Sequence, residues 1–209
     1  MNEAFERVLH RYNQRAEEET KLFNDPSFNG MARRDELLLH VGEEVARFLR
    51  ELAIAREAQY IVELGTSYGY STLFLADAAR MTGGRLLTLD ISEKKQAYAR
   101  TQLAEAGLDG HVDWLLGDAL PILDTLKPGI DFVLIDIWKE LYVPSLEKIH
   151  PKLADNALIA ADNILYPEIT RPKAAVYRAA VRAKPDLQSV LLPIGSGIEL
   201  SCVWREEPR

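Results

Sequence analysis

The sequence predicts an α/β fold with a seven-stranded, mainly parallel sheet and helices on both of its faces. Short apolar runs typical of strands alternate with helix-length amphipathic stretches, and this alternation favours right-handed βαβ crossovers. A second observation concerns the end of the chain, where only the residues IGS separate the last two apolar runs. This connection is too short for a crossover, so it predicts an antiparallel C-terminal hairpin at one edge of the sheet.

Each element is predicted from its local sequence. The strands are expected at 60–64, 85–90, 112–116, 131–136, 157–162, 187–193 and 197–204. The helices between them are expected at 71–80, 92–106, 118–126, 139–150 and 171–183. Two further helices, at about 3–22 and 33–55, precede the first strand. Ser92 is a suitable N-cap for its helix, and Gly107 stands where a C′ glycine ends one.

Composition limits the class of protein. The chain has 209 residues, 47% of them hydrophobic, and no Pro/Gly/Ser-rich linker, so we expect one domain in which N-terminal helices (1–56) precede a core (57–204). The formal net charge of -7 argues against a nucleic-acid partner. Cys202 is the only cysteine, which argues against a disulfide or a Cys/His zinc site. No apolar stretch is long enough for a membrane span and no export signal is visible, so a cytoplasmic protein is expected.

Polar residues stand at the ends of five predicted strands, where open α/β sheets bind their ligands. These residues are Glu63, Asp90, Asp118, Asp136 and Asp162, with Asn163 after the last. Any one of them could serve only as a helix cap or a solvated loop residue. Carboxylates that converge at one edge repel one another unless cations or hydroxyl groups separate them. The set as a whole therefore favours a ligand-binding edge.

The glycine loop after the first strand distinguishes two kinds of nucleotide site. Gly65 and Gly69 follow Glu63 in the pattern E-x-G-x-x-x-G, which lacks the G-x-G-x-x-G spacing that brings backbone close to a pyrophosphate. Asp90, at the end of the second strand, is placed to accept hydrogen bonds from both hydroxyls of a ribose. A ribose without a pyrophosphate indicates S-adenosylmethionine.

Seven segments resemble, in order and spacing, the metal-dependent class I O-methyltransferases, a family that includes the catechol and caffeoyl-coenzyme A enzymes. The segments are HVGEEVARFL (40–49), ELGTSYGYS (63–71), LLTLD (86–90), GDA (117–119), LIDIWKELY (134–142), ADN (161–163) and LLPIGSGIEL (191–200). The match covers about 38–204, and DIWK with ADN is its most specific part. The resemblance implies a Rossmann-like fold, and it implies methyl transfer to a hydroxyl of a small, catechol-like aromatic acceptor.

The same resemblance implies the residues of the cofactor site. It assigns Val41 and Gly42 to the methionine portion of S-adenosylmethionine, and Asp90 to the ribose. The amino-acid end would lie among Glu63, Gly65 and Ser71, with Tyr70 packed nearby. The adenine would contact Asp118, Ala119 and Trp138, and Asp136 is counted with both the cofactor and the metal residues.

The resemblance also implies a metal site and a catalytic base. Asp136, Asp162 and Asn163 match the three metal ligands of the family, and an all-oxygen set suits a hard cation, with Mg²⁺ as the first choice. A bound cation makes an acceptor hydroxyl easier to ionise. Lys139 matches the catalytic lysine, which would take the proton from that hydroxyl.

Some segments depart from the family pattern or leave their role open. Ser196 replaces the usual Asp of the final turn, which puts a contact there in doubt. Tyr166 and Pro167 could wall the acceptor pocket, whereas Phe23, Phe28 and Met31 could form a lid or simply pack the N-terminal helices. Glu199 could contact the acceptor or face solvent.

Two alternative functions stay open at this stage. The first is a metal-independent methyltransferase on another small acceptor, and the second is a Rossmann-like nucleotide-binding protein that is not a methyltransferase and binds NAD. Similarity to bacterial members of the family suggests a homodimer through the N-terminal helices.

Overall fold

The computed structural model describes residues 2–23, 25, 27–30 and 32–205. It contains a seven-stranded sheet in the order β3-β2-β1-β4-β5-β7-β6. The strands are β1 (Tyr60–Leu64), β2 (Arg85–Asp90), β3 (Val112–Leu116), β4 (Ile130–Ile135), β5 (Leu153–Ala161), β6 (Leu187–Leu192) and β7 (Ile198–Val203). The strands β1 to β5 pair in parallel, whereas β7 runs antiparallel to both β5 and β6. The predicted fold class, including the C-terminal hairpin, is confirmed.

Helices cover both faces of the sheet. They are α1 (Glu3–Phe23), α2 (Glu43–Ala55), α3 (Tyr70–Thr82), α4 (Glu93–Glu105), α5 (Ala119–Thr125), α6 (Tyr142–Ile149) and α7 (Arg171–Arg182). Alternate residues of β4 point to opposite sides: Phe132 packs with α1 to α4, and Val133 packs with α5 to α7. This two-sided burial explains why the central strands read as continuous apolar runs. No helix within the described ranges is both long and apolar enough to cross a lipid bilayer.

The second N-terminal helix is shorter than predicted. It was expected over 33–55, but α2 begins only at Glu43. Leu39 and Gly42 have φ angles of 47° and 88°, and a right-handed helix cannot pass through such left-handed residues. The backbone N–H of Leu38 donates to the Glu19 carboxylate of α1 at 2.8 Å. Residues 32–42 therefore form a separate segment, called here the crossing segment.

Two other boundaries differ from the predictions for identifiable reasons. The helix expected over 139–150 starts with a 3₁₀ turn, Lys139–Leu141, and α6 proper begins at Tyr142. Pro144 accounts for this, because proline fits the first turn of a helix and disrupts its interior. The strand expected at 157–162 begins earlier, at Leu153, since a register irregularity accommodates Asn156 at φ 59°.

Candidate active site

Two acidic residues lie at the tips of adjacent strands. The backbone N–H of Asp136 donates to the Leu64 carbonyl at 2.9 Å, which continues the pairing of β4 with β1. The N–H of Asp162 donates to the Ile135 carbonyl at 3.1 Å and continues the pairing of β5 with β4. Parallel pairing thus brings both carboxyl groups to the same edge, as the sequence predicts.

The carboxyl group of Asp162 is buried without a partner. The residue is 1% exposed, and neither side-chain oxygen has a hydrogen-bond partner within the described part of the chain. Burial, and then the neighbouring charge of Asp136, raise the pKa of Asp162 to about 8. A buried polar group is normally satisfied, so this carboxyl group has the environment of a ligand for a cation.

The donor set fits a hard divalent cation. Asn163 follows Asp162 with a φ of 53°, a left-handed conformation that asparagine tolerates better than most residues. Two carboxyl groups and an amide oxygen are oxygen ligands of the kind that Mg²⁺ accepts. Within the described ranges, no group of three or more His, Cys, Asp or Glu forms an alternative metal site.

Lys139 lies between these groups. Its Nζ donates to the Asp162 carbonyl oxygen at 3.1 Å and approaches Asn163 Oδ1 at 3.4 Å. It also donates to the hydroxyl of Tyr142. Burial lowers the pKa of Lys139, although the charges of Asp136 and Asp162 oppose that shift. A buried amine with a lowered pKa is suited to accept a proton.

The glycine loop lies against this cluster. Gly65 has a φ of 100°, and a Cβ atom built on it would be 2.1 Å from the Asp136 carbonyl oxygen. The backbone N–H groups of Gly65 and Thr66 both donate to the Leu89 carbonyl. Only glycine allows this approach of β1 to β4, so Gly65 fixes the distance between the loop and the acidic tips.

Glu63 lies beneath the loop, with its carboxylate bonded on both oxygens. It is fully buried and accepts hydrogen bonds of 2.6 Å from the hydroxyls of Ser71, Thr72 and Thr88. Burial raises the pKa of Glu63 to about 7, against the effect of these three donors. The Thr88 hydroxyl uses its proton on Glu63, so Thr66 donates to Thr88 at 2.6 Å. The hydrogen bonds of Glu63, including the one from Ser71, therefore stabilise the position of the glycine loop.

Asp90 ends β2 beside the same loop. Its Oδ2 accepts from the Ser67 N–H at 2.7 Å, and its Oδ1 accepts from the Ser92 N–H at 2.8 Å. Each oxygen keeps further acceptor capacity, which two ribose hydroxyls could use. Farther along the edge, α5 begins with the exposed Asp118 as its N-cap and the buried Ala119 as its first residue.

The crossing segment links the glycine loop to the DIWK turn. The Leu38 carbonyl accepts from the Ser67 hydroxyl at 3.1 Å, and the guanidinium of Arg34 lies 4.8 Å from the centre of the Trp138 ring. Val41 is buried, and His40 Nδ1 accepts from the Gly42 N–H at 3.1 Å. The segment therefore contacts both the glycine loop and the DIWK turn, where the sequence predicts the cofactor.

A cavity of about 460 Å³ adjoins the crossing segment. Phe23 and Phe28 line it, with their rings 5.3 Å apart in an edge-to-face arrangement, and Arg34 lines it too. This arrangement is consistent with both earlier interpretations of the two phenylalanines, as a lid or as packing. Met31, the third residue of that prediction, lies outside the described residues.

Three further residues named from the sequence have well-defined partners in the fold. Tyr70 is buried with its hydroxyl on Asn13 of α1 at 2.7 Å, away from the acidic tips. Glu199 is fully buried and bonded to Arg178 at 2.7 Å and to Ser189 at 2.8 Å, so it does not face solvent. At Ser196 the backbone carbonyl accepts from the Leu165 N–H at 2.9 Å and steadies the loop after Asn163.

Sequence reasoning missed Tyr142. This residue is fully buried, and its hydroxyl donates to the Asp162 carbonyl at 3.0 Å beside the Lys139 amine. Its spacing from Lys139 was a signal, because residues three apart on a helical turn lie on the same side. An aromatic residue near a strand end is usually part of a core, so the sequence alone did not single out Tyr142.

Comparisons with known proteins identify the family of the chain. The chain matches the family model described as O-methyltransferase over residues 28–203. It is 36% identical over 126 residues to the catechol O-methyltransferase of Mycobacterium tuberculosis, covering 60% of this chain and 57% of that one. Identity to the bovine catechol O-methyltransferase is 29% over 139 residues, covering 63% of this chain and 51% of that one. The matched region thus spans little more than half the length of these two relatives.

A solved structure extends the likeness over nearly the whole chain. An O-methyltransferase from Bacillus cereus, determined in complex with S-adenosylhomocysteine, superposes with a TM-score of 0.74 at 25% identity, covering 97% of this chain and 91% of that one. The family model accounts for most of the chain, including both acidic tips and the glycine loop. The chain belongs to the O-methyltransferase family.

Proposed function

We propose that the protein is an S-adenosylmethionine-dependent O-methyltransferase that uses a divalent cation and methylates a hydroxyl of a small aromatic with two adjacent oxygens. The observation that carries the proposal is the buried carboxyl group of Asp162, which has no hydrogen-bond partner among the described residues and lies beside the Lys139 amine. Family membership supports the methyl transfer. The names of the mycobacterial and bovine relatives support the catechol-like acceptor.

Three side chains would hold the cation. Asp136 and Asp162 supply charge, and Asn163 supplies a neutral oxygen; Mg²⁺ usually keeps water or substrate oxygens in its other positions. When bound, the cation lowers the pKa of an acceptor hydroxyl, and S-adenosylmethionine supplies a methyl group on a sulfonium. The repulsion from Asp136, which adds to the effect of burial in raising the pKa of Asp162, would be relieved at the same time.

The remaining site residues would bind the methyl donor. Asp90 keeps acceptor capacity for a ribose, and Trp138, which is about half exposed, offers a flat surface for adenine. Gly65 brings the loop backbone close to Asp136. Val41 and Gly42 would close the methionine end from the crossing segment.

Lys139 would act as the general base. The acceptor hydroxyl gives its proton to the neutral Nζ, and a lone pair of its oxygen forms the new bond to the methyl carbon. S-adenosylmethionine would supply the methyl group and would keep the electron pair of its carbon–sulfur bond on sulfur. The products are the methyl ether, S-adenosylhomocysteine and the Lys139 ammonium, which returns its proton to water. Orientation of the two reactants supplies much of the rate.

The cavity beside the crossing segment would receive part of the aromatic acceptor. Phe23 and Phe28 form apolar walls, and Arg34 connects the cavity to Trp138, the residue before the base. The homodimer suggested by the sequence stays a prediction, which a light-scattering mass would test.

Two variants test the proposed roles because one should lose the general base and the other should lose the metal site. Lys139→Met should lower kcat by roughly 10²–10⁴, the range of a positioned general base, while Mg²⁺ and S-adenosylmethionine still bind. Asp162→Asn should lose Mg²⁺ binding and metal-dependent turnover but retain S-adenosylmethionine. Calorimetry and steady-state rates with 3,4-dihydroxybenzoate measure both effects. A Lys139→Met protein with wild-type kcat would remove the base from the proposal, and Mg²⁺ bound to Asp162→Asn with unchanged affinity would remove the metal site.

A further inference from the structure

The contacts of the Lys139 amine point to a second residue in the reaction. Nζ has three oxygen neighbours: the Tyr142 hydroxyl, the Asp162 carbonyl at 3.1 Å and Asn163 Oδ1 at 3.4 Å. It also lies 4.0 Å from the centre of the Tyr142 ring. Tyr142 therefore contacts the amine through both its hydroxyl and its ring face.

The direction of each hydrogen bond follows from the available protons. The Tyr142 hydroxyl donates its single proton to the Asp162 carbonyl at 3.0 Å. Its oxygen is then an acceptor towards Lys139. A neutral amine has two N–H bonds, which the Tyr142 oxygen and the Asp162 carbonyl can accept. The third contact, from Nζ to Asn163 Oδ1, is the longest at 3.4 Å and lies on the side of the proposed metal ligands.

We propose that Tyr142 is a positioning residue that holds the Lys139 amine in place to receive the proton of the acceptor hydroxyl. This inference rests on the proposed function, since it concerns the same proton transfer. Tyr142 is fully buried, and its ring meets that of Tyr177 edge-on with centres 5.4 Å apart. A hydroxyl fixed on a packed ring can orient a flexible lysine, and misplacement of a reacting group costs rate without loss of binding.

The neighbouring tyrosine supplies a matched control. Tyr177 is equally buried, but within the described residues its hydroxyl has no hydrogen-bond partner. Tyr142→Phe and Tyr177→Phe thus each remove one buried hydroxyl and keep the ring. Only Tyr142→Phe removes a hydrogen-bond partner of the Lys139 amine.

The test is a double-mutant cycle with Lys139→Met, using steady-state rates with Mg²⁺ and 3,4-dihydroxybenzoate. Tyr142→Phe should lower kcat roughly 10- to 100-fold, with the KM and Kd of S-adenosylmethionine within about twofold of wild type. In the Lys139→Met background the same change should have no further effect on kcat. Tyr177→Phe should retain the wild-type kcat. A Tyr142→Phe enzyme with the same kcat as Tyr177→Phe would overturn the inference, as would full additivity with Lys139→Met.

A spectroscopic readout is independent of turnover. In metal-free protein labelled with ¹³C at lysine Cε, the Lys139 signal, assigned by its loss in Lys139→Met, should shift in Tyr142→Phe and stay in place in Tyr177→Phe. An unmoved signal in both variants would contradict the positioning role.

If Tyr142→Phe does not fold, replacement of the tyrosine by 3-fluorotyrosine provides a second test. This replacement at position 142 should lower kcat while the same replacement at 177 does not, and equal effects would overturn the inference. A wild type without turnover would instead refute the proposed function, whereas the Cε signal would still report on Tyr142.

Discussion

At the scale of single residues, two buried acids near the same edge differ in their hydrogen bonding. Glu63 accepts hydrogen bonds from three hydroxyls, whereas Asp162 has no partner for either oxygen among the described residues. A fully bonded carboxyl group adds rigidity to the loop above it. An unbonded one is costly unless a ligand binds it. The difference separates a structural acid from a candidate metal ligand, although both stand at strand ends in the sequence.

The pKa of Glu63 gives a prediction for stability. Burial raises it to about 7 from an ordinary value of 4.5. Because the folded-state pKa is the higher one, the stabilisation is fully present below pH 4.5 and is lost as the pH rises through about 7. Between pH 4.5 and 8, wild type should lose roughly 3 kcal/mol more of its free energy of unfolding than Glu63→Gln does. Urea unfolding of metal-free proteins across this range measures the difference, and parallel curves would contradict it.

At the scale of elements, Gly65 marks a place where the loop after β1 lies too close to the residue after β4 for a side chain to fit. The predicted glycine loop was placed correctly after β1, yet the sequence could not reveal that its backbone abuts the carbonyl of Asp136. Spacing within a motif describes only local conformation, and this contact joins residues far apart in the chain. The same limit applies to Glu199, whose strand was predicted but whose partner Arg178 comes from α7.

Substitution of Gly65 should disturb both the fold and the site. Gly65→Ala combines a φ of 100° with a contact of 2.1 Å to backbone, and we expect a loss of about 2–5 kcal/mol of unfolding free energy. Gly83→Ala is the control, since Gly83 also has positive φ (73°) but no atom within 4 Å of an added Cβ. It should lose only about 1–2 kcal/mol. Equal losses in chemical denaturation would show that the close approach is unimportant.

At the scale of the whole molecule, continuous apolar runs predicted the sheet because its central strands are buried on both faces, and amphipathic stretches predicted most helices. The crossing segment was wrongly expected to be helical, since its path depends on contacts with Glu19 and Ser67. Those partners lie in α1 and in the glycine loop, outside any local window of sequence. Convergence of Asp136, Lys139 and Asp162 was predictable, because parallel topology alone brings strand tips together.

Ligand-linked stability distinguishes the proposed function from NAD binding. A ligand at 100 times its Kd stabilises the folded state by about 2.7 kcal/mol, which corresponds to a rise in Tm of roughly 5–10 °C for a chain of this size. S-adenosylmethionine and S-adenosylhomocysteine should produce such a shift. NAD should not, because the loop has E-x-G-x-x-x-G spacing in place of the pyrophosphate motif. Stabilisation by NAD alone in a thermal-shift assay would favour the dehydrogenase-like alternative.

The edge formed by Asp136, Asp162 and Asn163 should bind a cation that the methyl transfer requires. The most direct measurement is the rate at which metal-stripped wild-type protein methylates 3,4-dihydroxybenzoate with S-adenosylmethionine, in chelator and after addition of Mg²⁺. We predict a rate near background in chelator, full recovery with Mg²⁺, and no recovery in Asp162→Asn. A wild-type rate that is the same in chelator and in Mg²⁺ would contradict the metal-assisted mechanism.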